Sequence, residues 1–121
     1  MNPPPMILVV EDDDDTRRLY RTALTLAGFT VREARSGMEA LQQIDRYTVA
    51  LILLDLGLPG FDGWSVLDEL SNDAATCKIP IVIVTGSSEP IDRARVECVL
   101  RKPISVDAVV TTVRRCLSES K

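Results

Sequence analysis

Acids, a hydroxyl and an ammonium stand where the apolar runs of this chain end. The run Met6–Val10 leads directly into Glu11, Asp12, Asp13, Asp14 and Asp15. Val49–Leu54 is followed by Asp55, and Ile81–Thr85 closes on a hydroxyl before Gly86. Val96–Leu100 is followed by Arg101, Lys102 and Pro103. Three carboxylates in one pocket repel and cannot all stay ionised without a counter-charge. A hard divalent cation supplies one. Mg2+ takes oxygen ligands, keeps several waters and uses one or two carboxylates together with phosphate oxygens. The matching chemistry is phosphoryl transfer. Asp55 is the candidate nucleophile and would become an aspartyl phosphate. Lys102 offers its ammonium to Asp55 or to a bound phosphoryl group, and Thr85 offers that group a hydrogen bond. Such a transfer asks mainly for positioning and charge neutralisation.

The cluster forms only if the runs are strands whose carboxyl ends meet at one edge. The strand candidates are Met6–Val10, Thr30–Ala34, Val49–Leu54, Ile81–Thr85 and Val96–Leu100. MILVV, VALILL and IVIV are continuous apolar runs, as expected of parallel strands covered on both faces. TVREA is more polar and belongs at a sheet edge. Helical patterns lie between the strands. Thr16–Ala27 sets Leu19, Ala23, Leu24 and Ala27 at helical spacing, with Gly28 as a stop. Ser36 with Glu39 makes a capping box for a helix through Met38, Leu41 and Ile44. Gly63–Leu70 carries Val66, Leu67 and Leu70, and Ser105–Leu117 carries Val106, Val109, Val110, Val113 and Leu117. This alternation predicts an α/β sheet with helices on both faces. Ligands of such sheets sit outside the carboxyl ends of the strands. Ten residues, Pro90 among them, separate Thr85 from Val96. A parallel crossover usually needs about a dozen or more, so the fourth helix is expected to be short or missing.

With 121 residues the chain has the length of one domain, residues 1–121, in which 1–5 (MNPPP) is a disordered, extended lead-in. The composition, 45% apolar and 26% charged, is that of a soluble globular protein. Aromatics are few, so the core must be built from Val, Leu, Ile and Ala. No apolar run approaches a membrane span, and the N-terminus has no secretion signal. A net charge of −4 without a long basic run argues against nucleic acid as a direct partner. Cys77, Cys98 and Cys116 are odd in number and fit neither a zinc site nor a CxxC motif, which suits reduced thiols in a cytoplasm. The chain has no histidine, so neither a histidine base nor a phosphohistidine can be its own.

LVVEDD, LILLDLGLPGFDGW, VTG and RKP, in this order and each at an expected strand end, resemble the receiver domain of two-component response regulators. The resemblance covers nearly the whole chain. It implies a flavodoxin-like, doubly wound five-stranded parallel sheet of order 2-1-3-4-5, with helices on both faces. It implies that Asp55 is the phospho-acceptor and that Asp12 is a direct Mg2+ ligand, with Glu11 acting through water. Gly57 would complete the metal shell by its backbone carbonyl. Thr85 would be the hydroxyl that shifts towards the phosphoryl group, and Lys102 the lysine of the family pattern, before a cis bond to Pro103. The donor would be a sensor histidine kinase or a histidine phosphotransfer protein. Asp13, Asp14 and Asp15 fall outside this set and belong to the start of the first helix, as caps.

The chain departs from the family pattern in places. Val99 stands three residues before Lys102, where relatives that switch through the fourth and fifth strands carry an aromatic. With a shortened fourth helix, the usual output face is altered, so a monomer is expected. Gly57 and Ser87, two residues after Asp55 and Thr85, are small, so water should reach the phosphoryl group and its lifetime should be short. Arg17, Arg18 and Arg21 either pair with Asp13–Asp15 or dock the phosphodonor. Trp64 is expected to pack partly near the site. Three functions compete. The first is a phosphoryl-accepting receiver that is no enzyme beyond autophosphorylation and autodephosphorylation. The second is a receiver-like interaction module that works without phosphorylation. The third, an aspartate-nucleophile phosphohydrolase, ranks last, because Gly57 stands where its general acid would be and the chain has no room for a substrate cap.

Overall fold

The computed structural model describes residues 3–56, 63–86 and 96–119, without the side chains of Trp64 and Glu119. Five strands form one sheet in the order β2-β1-β3-β4-β5, and every pairing is parallel. They are β1 (Met6–Val10), β2 (Thr30–Ala34), β3 (Leu51–Asp55), β4 (Ile81–Thr85) and β5 (Cys98–Arg101). The described helices are α1 (Asp14–Leu26), α2 (Gly37–Arg46), α3 (Gly63–Asn72) and α4 (Val106–Glu119). This is the doubly wound order expected from the sequence.

Alternation along the strands sorts the core into two layers. Leu8, Val10, Ile52, Leu54, Ile81 and Ile83 pack with Ala40 of α2 and Val66, Leu67 and Leu70 of α3. Ile7, Val9, Leu51, Leu53, Val82 and Val84 face the other way, onto Tyr20 and Leu24 of α1 and Val109, Val113 and Cys116 of α4. Every residue of β3 and β4 is buried, which is why both read as unbroken apolar runs. β2 lies at the edge and is mostly half-buried, as TVREA requires.

Several boundaries differ from the sequence expectation. β3 starts at Leu51, not Val49, because Tyr47 closes α2 and residues 47–50 turn the chain back to the sheet. Ala50 N–H already donates to the Met6 carbonyl at 2.8 Å. β5 starts at Cys98, not Val96, although Glu97 N–H donates to the Ile81 carbonyl at 2.8 Å. α1 starts two residues early, at Asp14, because Asp13 is its cap: Thr16 N–H and Thr16 Oγ1 both donate to Asp13 Oδ2, at 2.8 and 2.6 Å. Past its end, Gly28 takes a φ of 102°, a conformation that favours glycine. α1 is also rotated. Tyr20 and Leu24 face the sheet, whereas Leu19, expected inside, is 54% exposed.

Ser36 caps α2 as expected, accepting from Glu39 N–H at 3.2 Å, while Glu39 reaches back to Arg35 N–H rather than to Ser36. Ser105 Oγ accepts from Ala108 N–H at 3.1 Å and caps α4. Pro5 ties the end of the lead-in to the sheet, its carbonyl accepting from Thr30 N–H at 3.0 Å. The expectation of a short or missing fourth helix falls on residues 87–95, outside the described residues, as do Gly57, Ser87 and Pro90. No helix among the described residues is long and apolar enough to cross a membrane.

Candidate functional site

The sheet order makes β1, β3, β4 and β5 consecutive neighbours, so their carboxyl ends meet. Val10 pairs with Leu54, which sets Glu11 beside Asp55. Asp55 pairs with Val84, and Thr85 with Arg101, the residue before Lys102. Lys102 N–H donates to the Thr85 carbonyl at 2.8 Å, joining the last two strand ends. Residues far apart in the chain are thus brought to one edge by register alone.

Carboxylate oxygens of Glu11, Asp12 and Asp55 lie within 4.8 Å of one another. Glu11 and Asp55 are buried and Asp12 is exposed at the mouth. Lys102 Nζ donates to Asp55 Oδ2 at 3.1 Å and stands 3.7 Å from Glu11 Oε1. The ammonium thereby holds both buried acids. The Lys102–Pro103 bond is cis. Thr85 is buried at the end of β4.

Glu11 carries the strain of the arrangement. Its Oε2 accepts from Asp13 N–H at 3.1 Å, but its buried Oε1 has no hydrogen-bond partner among the described residues. Burial pushes its carboxyl up to about 7, the Asp55 carboxyl adds to the rise, and Asp13 N–H and Lys102 oppose it. Burial works against the charge on Lys102, but the hydrogen bond to Asp55 and the charges of Asp55 and Glu11 outweigh it and raise its pKa. An unsatisfied buried carboxylate oxygen is costly, and here it sits among hard oxygen donors. That donor set fits a divalent cation such as Mg2+. Gly57, whose carbonyl was expected in the metal shell, lies outside the described residues, and so does the side chain of Trp64.

The remaining acids serve α1. Asp14 pairs with Arg17 at 2.7 Å, and Asp15 approaches Arg18 at 3.9 Å. Arg17, nearly buried, also donates to Glu33 of β2 at 3.2 Å and to the Glu11 carbonyl at 3.1 Å. Arg21 pairs with Glu33 at 3.2 Å. Of the two uses considered for these arginines, the structure shows pairing, with Glu33 as a partner that the sequence did not suggest. Tyr20 was also missed. It is buried one turn after Thr16 and lines a pocket with Lys102, Pro103 and Ile104. Burial raises its pKa, Lys102 lowers it, and Glu11 and Asp55 add to the rise, so it senses the charges of the site. Its spacing of four from both Thr16 and Leu24 was the available signal.

Residues 7–114 match the family described as response regulator receiver domain. The polar-differentiation response regulator DivK of Brucella ovis is 32% identical over 108 residues, covering 85% of this chain and 88% of that protein. A sensor protein from Polaromonas sp. JS666 superposes with a TM-score of 0.88 at 30% identity, over 98% of this chain and all of that one (100%). The signal receiver domain of a signal transduction histidine kinase from Syntrophus aciditrophicus gives 0.87 at 26% identity, covering 97% and 92% of the two chains. With this fold, the acids converging at its carboxyl edge and these relatives, the chain belongs to the response regulator receiver domain family.

Proposed function

We propose that this receiver domain accepts a phosphoryl group on Asp55 from a phosphohistidine of a partner protein and changes its partner binding as a result. The observation that supports this most directly is the pairing of Asp55 Oδ2 with Lys102 Nζ at 3.1 Å beside Glu11 and Asp12. A carboxylate at the end of a central strand is fixed in direction, and an in-line attack needs that. In the transfer, an Asp55 oxygen forms a bond to phosphorus as the phosphorus–nitrogen bond to the partner's imidazole breaks. Lys102 gives up its bond to Asp55 and turns to a phosphoryl oxygen. Thr85 donates its hydroxyl to another. Asp12, Asp55 and the Gly57 carbonyl would hold Mg2+, with Glu11 reaching it through water. When bound, the cation would neutralise charge on the phosphoryl oxygens. The added charge then biases the region around Thr85 and the fourth connection.

The donor is a sensor histidine kinase or a histidine phosphotransfer protein, since this chain has no histidine. The domain is a phospho-acceptor rather than an enzyme, with at most autophosphorylation and autodephosphorylation. Its three cysteines, none of them in a disulfide, suit a cytoplasmic site, and its net charge of −4 disfavours direct binding of nucleic acid.

One observation favours a second reading. Val99, half-buried against the core, stands where an aromatic rotor would transmit the phosphorylated state. A phosphorylation-independent interaction module would need no rotor. Intact mass after incubation with a small phosphodonor and Mg2+ separates the two. The proposal expects one added phosphoryl group in the wild type and none in Asp55→Asn. An unmodified wild type that still binds Mg2+ would leave the interaction module.

A further inference from the structure

α1 and α4 lie side by side on one face of the sheet and leave a groove between them of about 590 Å³. On α1 the groove is lined by Leu19, Thr22, Ala23 and Leu26. This is an i, i+3, i+4, i+7 stripe, the seam spacing of packed helices. Leu19 is 54% and Leu26 83% exposed, and they are two of the three large apolar side chains exposed among the described residues. On α4 the lining residues Asp107, Val110, Thr111 and Arg114 repeat the same spacing. A helix that only covers its own sheet has no use for a second seam. The inward stripes are already filled by Tyr20 and Leu24 on α1 and by Val109, Val113 and Cys116 on α4.

The α4 stripe is charged oppositely at its two ends, with the small residues Val110 and Thr111 at its centre. Turned end for end about Val110–Thr111, it complements itself. We propose that this face binds a second copy of the chain about a two-fold axis, with the two α4 helices antiparallel and flanked by the two α1 helices. Asp107 then meets Arg114 of the partner subunit, and the same pair forms again by symmetry. A parallel arrangement would set Asp107 against its own copy, so charge selects the antiparallel one. Arg114 is already fixed for the contact: its guanidinium donates to the Ala27 carbonyl at 3.1 Å, which holds it at the rim of the groove. Leu26 supplies the apolar anchor. A dimer through this face departs from the monomer that the altered fourth connection led us to expect. The inference does not depend on phosphorylation.

Sedimentation of the 121-residue chain from about 1 µM to about 1 mM tests it. The 13.3 kDa chain should double its mass within that range. Leu26→Glu, at an exposed position, should raise the dimer dissociation constant at least about tenfold without lowering the melting temperature at about 1 µM, where both chains are monomers. Asp107→Arg and Arg114→Asp should each weaken the dimer about tenfold, because each sets like charges together twice. The double swap should return to within about threefold of wild type. It lacks the bond from residue 114 to Ala27 just as the single variant does, so recovery reports the intermolecular pairs alone. A wild type that stays monomeric throughout overturns the proposal, and the groove would then belong to a different partner. So does a dimer indifferent to Leu26→Glu, or a double swap no tighter than the single variants.

Discussion

Glu11 shows how one side chain can set the pH behaviour of the site. In the folded chain its carboxyl titrates at about 7 instead of 4.5, chiefly through burial. Its folded pKa lies above its unfolded one. The stability it contributes is therefore present below about pH 4.5 and lost as pH rises through about 7. Glu11→Gln should flatten this part of the profile. At pH 8 without divalent cations the variant should be more stable than wild type by on the order of 2 kcal/mol in urea titrations. Mg2+ should reverse the order, because a cation favours the ionised acid. Wild-type affinity for Mg2+ should accordingly fall as pH drops below about 7, and isothermal titration across pH reads this directly. A pH-independent affinity would mean that Glu11 is not coupled to the metal.

At the scale of elements, Arg17 joins three of them. It reaches Asp14 in its own helix, Glu33 on β2 and the carbonyl that follows β1. Its site is nearly buried, so Arg17→Ala leaves the Glu33 carboxylate and the Glu11 carbonyl without this donor. Unfolding in urea should show a loss of about 2 kcal/mol. Arg18, exposed and 3.9 Å from Asp15, should tolerate alanine without measurable loss. The two arginines are adjacent and alike in sequence, and only the position of β2 separates them. The same limit explains the rotation of α1. Leu19–Ala23–Leu26 and Tyr20–Leu24 are neighbouring apolar stripes, and periodicity alone cannot say which one meets the sheet. By contrast, β1, β3 and β4 were legible because their burial on both faces leaves continuous apolar runs. The strand-end acids, Thr85 and Lys102 were legible because parallel strands end at a common edge. Glu33 was not, since its role depends on which strand lies beside β1.

The whole molecule is needed to make the site, since Asp12, Asp55, Thr85 and Lys102 come from four strand ends and meet only once the sheet is complete. An unfolded chain cannot gather three carboxylates within 4.8 Å. Mg2+ should thus bind the folded state alone and stabilise it by mass action. At ten times its dissociation constant the gain is about 1.4 kcal/mol, a rise of roughly 5–6 °C in the melting temperature of a domain this size. Asp12 is the member to remove, because it is exposed and takes no part in the core. Without Mg2+, Asp12→Asn relieves repulsion between the gathered acids and should melt at or above the wild-type temperature. With Mg2+ the wild type should rise and the variant should not, so the order of the two melting curves inverts. A variant that melts lower in both conditions would make Asp12 part of the folding framework. A variant that gains as much as wild type would place the cation elsewhere. The inversion is expected because the single ammonium of Lys102 faces three gathered carboxylates, and a divalent cation would supply the charge still lacking.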